Sequence, residues 1–309
     1  MTDLTSPRFH NEDVARAHIE ASRWPNDVNC PHCGSLNVHK MAGKTQAGYF
    51  LCNDCRDKFT CRTGTVMERS HVPLHKWLLA IHLLSASKKG YSAHQLMRTL
   101  GLGSYRTAWF MAHRIRLAMV PINPTPMGGS GSIVEADETV IGRQEEMPST
   151  KHVKGWVYRN IVLTLVERGG SARSWHVDGT TVGTLMPIIR ANVARDTAMM
   201  TDSASWYKNL NKDARFASHE TVDHSAEEYV RGVAYTNTVE GYYSIFKRGM
   251  KGVYQHCGEK HLHRYLAEFD FRYSNRIALG INDTERAARA LKGAEGKRLT
   301  YRQPDSAQL

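Results

Sequence analysis

Two pairs of cysteines near the start of the chain constrain its fold more than any other feature. The first pair is Cys30 and Cys33, the second is Cys52 and Cys55, and eighteen residues separate the pairs. Two C-x2-C pairs at this separation are typical of a zinc site in which each pair lies on a tight turn. Because all four positions are cysteines, we expect a closed, structural Zn²⁺ site. Residues 1–70 are therefore predicted to form a zinc ribbon.

The charge of the chain indicates the kind of partner it binds. The 309 residues carry a formal net charge of +11, which favours a polyanion, and nucleic acid is the commonest one. The N-terminal residues MTDLTSPRFHNED lack a basic flank followed by an apolar run, so no signal peptide is expected. No stretch of eighteen apolar residues occurs, so no membrane span and no membrane partner are expected. These features predict an intracellular DNA-binding protein of two or three domains.

Residues 71–120 carry seven lysines and arginines but no aspartate or glutamate. A segment of fifty residues with this imbalance is expected to meet phosphate groups. Apolar spacing and serine caps predict helices over residues 77–85, 93–100 and 105–119, with Ser92 capping the second and Ser104 the third. The pattern is typical of a helix-turn-helix module that reads DNA with its last helix.

The last of these helices is predicted to divide its surface between core and DNA. Its core stripe consists of Ala108, Met111, Ala112, Ile115 and Met119. Arg106 and His113 share a face away from that stripe, and Arg114 and Arg116 are placed to reach the DNA backbone. We therefore predict that these four polar side chains bind DNA.

Residues 121–132, PINPTPMGGSGS, contain three prolines and three glycines. Neither a helix nor a buried strand tolerates that composition, so this segment is predicted to be a linker. It separates the DNA-binding front of the chain from a predicted catalytic domain over residues 133–276. Residues 277–309 are charged and rich in alanine and glycine, which predicts a short helix and a loose C-terminal tail.

Two predicted strands of the region 133–276 carry an isolated aspartate. In chain order, this region is predicted to form a strand over 133–141, a hairpin over 160–167 and 172–177, a helix over 182–193, and strands over 198–202 and 216–222. Asp137 lies in the middle of the first strand and Asp202 ends the strand 198–202. A buried carboxylate is costly unless it binds a metal or a partner. The order predicts an RNase H-like mixed β-sheet flanked by helices, in a multidomain α/β protein.

The stretch 235–251, YTNTVEGYYSIFKRGMK, reads as a helix with one apolar and one polar stripe. At about 100° per residue, Glu240 and Lys247 lie within roughly 20° of each other, and Asn237 lies about 60° from Glu240. A carboxylate and a lysine on one stripe suit a site that holds a divalent metal and a phosphate. The alternative is an amphipathic helix whose Glu240 and Lys247 are simply solvated.

At this point the sequence resembles the bacterial insertion-sequence transposases that join a zinc ribbon to a DDE-type RNase H-like domain, the ISXO-type family. The resemblance covers roughly residues 24–276. The segments that carry it are CPHCGS, CNDC with the RTGTVMERSHVPLHKW that follows, EADETVIG, TDSASWY, and NTVEGYYSIFKRGMKGVYQHCGEKHLHRYLAEFDFRYSNR. The last of these is long and specific.

The resemblance implies a set of catalytic residues that hold Mg²⁺ or Mn²⁺. The family's first two ligands are aspartates, which fall on Asp137 and Asp202, and a lysine downstream of the third ligand falls on Lys247. The third ligand is Asn in many members and Glu in others, which favours Asn237. The helical phase favours Glu240 instead, because Lys247 follows it by seven residues. Both stay open as the third ligand.

The resemblance also implies the function and the partners. The protein is expected to bind the terminal inverted repeats of an insertion sequence, to cleave the 3′ strand with two metal ions and to join it to target DNA. Arg248 and Lys251, with Lys247, are expected to hold the DNA end. Bridging two ends implies a homodimer or a larger synaptic complex, in a cytoplasmic, nucleoid-associated bacterial protein.

Two other functions fit parts of the same sequence. A zinc-ribbon and helix-turn-helix regulator would bind DNA without catalysis, but such a protein gains nothing from Asp137 and Asp202 in apolar strands. A metal-dependent nuclease would share the metal chemistry and lack the joining step.

Overall fold

The computed structural model describes residues 3–142, 159–223 and 230–300. The basic stretch 143–154 and residues 301–309 of the predicted tail lie outside these residues. Within the described residues, the chain divides into two compact units. The first comprises residues 3–87, 91–122 and 281–300, and the second comprises residues 88–90, 123–142, 159–223 and 230–280.

The bounds of the elements are as follows. The helices are α1 (Glu12–Arg23), α2 (Leu74–Ala86), α3 (Ala93–Thr99), α4 (Tyr105–Met119), α5 (Val182–Asn192), α6 (Asn237–Gly249), α7 (Leu262–Ser274) and α8 (Asp283–Lys292). The strands are β1 (Val38–Lys40), β2 (Phe50–Cys52), β3 (Lys58–Phe59), β4 (Ile133–Ile141), β5 (Asn160–Glu167), β6 (Ala172–Val177), β7 (Ala198–Asp202) and β8 (Ser218–Val222). A 3-10 segment, Ser205–Lys212, follows β7, and a π-helical turn, Met250–Tyr254, follows α6.

A small antiparallel sheet in the order β1-β2-β3 forms the predicted ribbon in the first unit. Trp24, Phe50 and Phe59 pack their rings together on this sheet. Helix α1 precedes the ribbon and is absent from the sequence prediction. Its start is marked by Asn11, whose side chain accepts hydrogen bonds from two backbone N–H groups of the first turn.

Helices α2, α3 and α4 form where the sequence predicts them, and the predicted core stripe of α4 is buried. The expectation that His113 and Arg116 lie on an open face is wrong, because His113 is 0% and Arg116 2% exposed. Arg114 is half-buried; it donates to the backbone oxygen of Glu68 at 3.1 Å. The reason is that α4 packs against α2, α3 and α8, so more than one stripe of the helix is covered. Arg106 stays exposed.

Residues 281–300 contain the predicted short helix, but they are not a loose tail. Asn282 and Glu285 form a capping box that begins α8, which packs against α1, α2 and α4. Arg286 is buried and donates to the backbone oxygen of Ser85 at 3.1 Å. The C-terminal helix is therefore a structural part of the first unit.

The main segment of the second unit begins inside the predicted linker, at Asn123. Met127 is 2% exposed and belongs to an apolar core with residues of β4, β5 and α5. Its backbone N–H donates to the oxygen of Asn192, and its own oxygen accepts from the N–H of Ala194, both at 2.8 Å. The second half of this Pro- and Gly-rich segment is thus fixed in place by main-chain pairing.

The second unit is built on a five-stranded sheet in the order β6-β5-β4-β7-β8. Strands β4, β7 and β8 run parallel, whereas β5 and β6 form an antiparallel hairpin beside β4. One apolar core, with α5, covers one face of the sheet, and a second core, with α6 and α7, covers the other. This is the RNase H-like mixed sheet flanked by helices that the sequence predicts.

Candidate active site

The four cysteines of the two pairs converge in the ribbon. Their sulfur atoms all lie within 4.8 Å of one another, with 3.6 Å between Cys30 and Cys55 and between Cys33 and Cys52. Zn–S bonds of about 2.3 Å in a tetrahedron place sulfur atoms about 3.8 Å apart, so the spacing fits a zinc ion. The donor set and the geometry therefore support the predicted structural Zn²⁺ site.

The two aspartates lie on neighbouring parallel strands at the centre of the sheet. Val134 is aligned with Met199 and Glu135 with Met200 in the register of β4 and β7. Continuing that register by two residues aligns Asp137 with Asp202, so both side chains leave the same face of the sheet. Neighbouring strands are about 4.8 Å apart, which brings two carboxylates within reach of shared cations. The face on which they lie is the one covered by α6.

Helix α6 is fixed against the first aspartate through a tyrosine. The hydroxyl of Tyr243 donates to the backbone oxygen of Asp137 at 2.6 Å and lies 3.2 Å from that of Val162. Glu240 precedes this tyrosine by about one turn, and the amine of Lys247 lies 5.9 Å from the centre of its ring. The stripe that carries Glu240 and Lys247 therefore flanks Asp137. Asn237 is exposed and is the first residue of the helix.

The electrostatics of Asp137 fit a cation site. Burial and, after it, the negative charges of Asp202 and Glu240 raise the pKa of Asp137 to about 7. The backbone N–H of Glu138 and the charge of Lys247 act in the opposite direction. Three acids close enough to repel one another are stabilised together by a divalent cation, and their hard oxygen donors suit Mg²⁺ or Mn²⁺.

Glu138 lies on the opposite face of β4, as the alternation of side chains along a strand requires. Its carboxylate accepts a hydrogen bond from the hydroxyl of Tyr207 at 2.6 Å, inside the core on the α5 side. Burial raises the pKa of Glu138 to about 8, although the hydrogen bond from Tyr207 lowers it. This acid therefore flanks the site and ties the segment after Asp202 to β4.

Glu135 is a residue of the site region to which the sequence alone assigns no role. It is 0% exposed and lies on the same face of β4 as Asp137, two residues before it. Its carboxylate contacts Arg168 and the first turn of α6. The signal in the sequence is a second acid two residues before Asp137 in the segment EADE, but its partners are distant: Arg168 lies 33 residues away, and Thr238 and Val239 lie 103 and 104 residues away.

Two of the cations predicted to hold DNA line an open cavity of the second unit. The cavity has a volume of about 340 Å³, and Lys247 and Lys251 line it together with Arg159. Arg248 is exposed and contacts the backbone oxygen and the hydroxyl of Ser244 within its own helix. Lys247, Arg248 and Lys251 lie on α6 or just after it, and their contact with DNA stays a prediction.

Asp270, a buried acid of α7, holds α6 through a hydrogen bond from Tyr242. Asp270 of α7 accepts hydrogen bonds from the hydroxyl of Tyr242 at 2.6 Å and from the backbone N–H and hydroxyl of Ser174, both at 2.8 Å. Burial raises the pKa of Asp270 to about 7, although these hydrogen bonds lower it. Helix α6 is thus held by Tyr242 on one side and by Tyr243 on the other.

The raised pKa of Asp270 predicts a pH-dependent stability. Its pKa rises from 3.8 to about 7 on folding, so its contribution is complete below pH 3.8 and is lost as the pH rises to about 7. We expect the free energy of unfolding to fall by at most about 3 kcal/mol from this group between pH 5 and pH 8, without added divalent metal. Thermal or urea unfolding across this range measures it. An Asp270→Asn variant should show a flatter profile, and an unchanged slope would contradict the assignment.

Comparisons with known proteins identify the domains of the chain. Residues 128–274 match the family model of the ISXO2-like transposase domain, and residues 10–58 match the transposase zinc-ribbon domain. The chain is 28% identical over 279 residues to a protein of Halobacterium salinarum described as an uncharacterized protein in transposable element ISH50. That alignment covers 85% of this chain and 91% of the relative.

The two domain matches are separate in the chain and together cover well over half of it. The first contains the sheet, both aspartates and α6, and the second contains the four cysteines. No helix among the described residues is long and apolar enough to cross a membrane. The chain belongs to the ISXO2-like family of insertion-sequence transposases, and it carries that family's zinc ribbon.

Proposed function

We propose that this transposase binds the terminal inverted repeats of an insertion sequence, cleaves the 3′ strand at each end and transfers it to target DNA with the help of two metal ions. The observation that supports the chemistry is the alignment of Asp137 with Asp202 on one face of the sheet, beside Glu240. A protein that only binds DNA has no need for mutually repelling, partly buried carboxylates. Two divalent ions at this position would activate a water or a 3′-hydroxyl and stabilise the leaving oxygen at a phosphodiester.

The residues of the chain have distinct roles in this proposal. Asp137 and Asp202 are the two fixed ligands, and α6 supplies the third. We favour Glu240 over Asn237, because Glu240 lies on the stripe of Tyr243 and Lys247 and its charge acts on Asp137. Lys247 lines the open cavity and its charge acts on Asp137, so it suits a phosphate of the bound DNA end.

DNA recognition is assigned to the first unit. Arg106, at the exposed start of α4, is the side chain of the predicted reader helix best placed to meet DNA. Arg248 and Lys251 of the second unit are proposed to hold the DNA backbone near the site. Because two ends must be brought together for transfer, we propose that the active form is a homodimer or a larger synaptic complex.

A strand-transfer assay tests the proposal. The full-length protein is incubated with labelled terminal repeats and Mg²⁺ or Mn²⁺. We expect 3′-strand nicks at the repeat ends and products in which the labelled 3′ ends are joined to target DNA, both dependent on the metal. Scrambled repeats serve as the control for recognition. A footprint on the repeats without any metal-dependent cleavage would contradict the proposal and indicate a regulator, and nicking without joining would indicate a nuclease.

A further inference from the structure

The third metal ligand has to be brought to Asp137 by a helix that lies about a hundred residues later in the chain. The structure shows one side chain that connects the two directly. Glu135 lies on β4, two residues or roughly 6.6 Å along the strand from Asp137 and on the same face. It contacts Thr238 and Val239 of α6, which immediately precede Glu240.

The carboxylate of Glu135 closes the N-terminus of α6. One oxygen accepts hydrogen bonds from the backbone N–H groups of Thr238 and Val239, both at 2.9 Å, and the other accepts from the hydroxyl of Thr238 at 2.8 Å. The residue at the usual capping position, Thr236, makes no side-chain capping bond. An acid from a neighbouring strand therefore does the work of a local cap, and its charge suits the positive end of the helix dipole.

Arg168 extends the same contact to the segment that leads into the helix. Its Nε donates to Glu135 at 2.6 Å, and its two other nitrogens donate to the backbone oxygens of Val233 at 2.9 Å and Tyr235 at 2.8 Å. The guanidinium group also lies 3.4 Å from the centre of the Tyr235 ring. The segment before α6 and the first turn of α6 are thus fixed to β4 through Glu135 and to the residue after β5, Arg168.

These contacts also show that Glu135 is not itself a metal ligand. Its two oxygens accept four hydrogen bonds, about as many as a carboxylate has lone-pair sites, and the side chain is fully buried. A buried carboxylate that accepts four hydrogen bonds holds its donors in place. We propose that Glu135 is a positioning residue: it fixes the first turn of α6 to β4 and thereby sets the distance between the third metal ligand and Asp137. This inference rests on the proposed function of the Asp137 and Asp202 site.

The test measures metal binding, which does not depend on turnover. Binding of Mn²⁺ to the full-length protein is followed by the electron paramagnetic resonance signal of the free ion. We expect Glu135→Gln to lower the affinity of the Asp137-dependent site about 10- to 100-fold, the usual effect of losing a group that orients a metal ligand. Cleavage should fall more in Mg²⁺ than in Mn²⁺, because Mg²⁺ demands near-ideal octahedral geometry. Amide exchange at Thr238 and Val239 should accelerate.

Glu268→Gln is the matched control. Glu268 is also 0% exposed and paired with an arginine of the same unit, Arg272, but it lies on α7 and does not touch β4 or the first turn of α6 among the described contacts. This variant should retain Mn²⁺ affinity even where its unfolding temperature falls. If Glu135→Gln does not fold, Thr238→Val, which removes only one hydrogen bond to Glu135, should give a smaller change in the same direction.

The outcomes separate this inference from the proposed function. Mn²⁺ binding that depends on Asp137 but is unchanged in Glu135→Gln, or that falls equally in Glu268→Gln, overturns the positioning role alone. Mn²⁺ binding that does not depend on Asp137 overturns the proposed metal site and this inference with it. A selective loss in the Glu135 variant, with faster exchange in the first turn of α6, supports the inference.

Discussion

Replacing Asp137 or Asp202 by alanine is expected to reduce metal-dependent cleavage and strand transfer by at least about 10²–10³-fold, the loss seen when one preorganised electrostatic contact to a transition state is removed. Each substitution removes a carboxylate that we propose to hold the ions, and Glu135, the acid two residues before Asp137 on the same face, is already engaged in its own hydrogen bonds. Cleavage and joining of labelled repeats measure the loss. Binding of the repeats should be retained.

Asp213→Ala provides the control for these substitutions. Asp213 belongs to the same unit, where it pairs with Arg190 at 2.7 Å on the surface, and its loss should leave cleavage unchanged. The same assay decides the third ligand. We expect Glu240→Ala to lose as much activity as the aspartate variants and Asn237→Ala to lose less. Full activity in both aspartate variants would refute the proposed chemistry, and the reverse order of the α6 variants would assign Asn237 as the ligand.

Loss of the zinc site is expected to unfold the ribbon. Structural zinc contributes apparent binding free energies of about 10–16 kcal/mol in small zinc-bound peptides, more than the core of three short strands supplies. Cys30→Ser or Cys52→Ser should therefore abolish zinc retention, expose the ribbon to protease and prevent recognition of the repeats. Zinc content and limited proteolysis of the purified variants measure this.

Cys257→Ser is the matched control for the cysteine variants. Cys257 lies in the second unit, on the wall of the cavity beside Lys247, and contributes nothing to the ribbon. This variant should keep one equivalent of zinc and the proteolysis pattern of the unaltered protein. Equal zinc content in the Cys30 and Cys257 variants would contradict the assignment of the four-cysteine site.

Local patterns in the sequence predict much of the second unit. Strands β4, β5, β6 and β7 begin and end at the predicted residues, because turn residues such as Gly169, which adopts φ +69°, mark where strand-forming segments stop. The four cysteines of the predicted zinc site are equally easy to identify, because the spacing of the two C-x2-C pairs is enough to predict it. Helix α1 is not, because only Ala15 and Ile19 of its twelve residues are buried, too few to form a visible stripe.

Contacts between distant parts of the chain explain the remaining differences. The sequence of α4 cannot show that α8, more than 160 residues later, packs against it, and so the sequence alone predicts DNA contacts for His113 and Arg116, which are buried in the structure. The role of Glu135 depends in the same way on Thr238 and Arg168. Periodicity predicts which face of an element is apolar, whereas the partner that covers a polar face emerges only from the fold.

The packing of α8 against α1, α2 and α4 has a consequence for how the molecule is made. During translation the ribosome releases the zinc ribbon and the front helices long before it releases residues 281–300. Until that last segment emerges, the surfaces that Arg286, Ala290 and Leu291 cover stay open to water. A nascent chain can thus assemble the five-stranded sheet of the second unit before the first unit is complete. A product shortened at the C-terminus would lack α8 and leave the first unit incomplete.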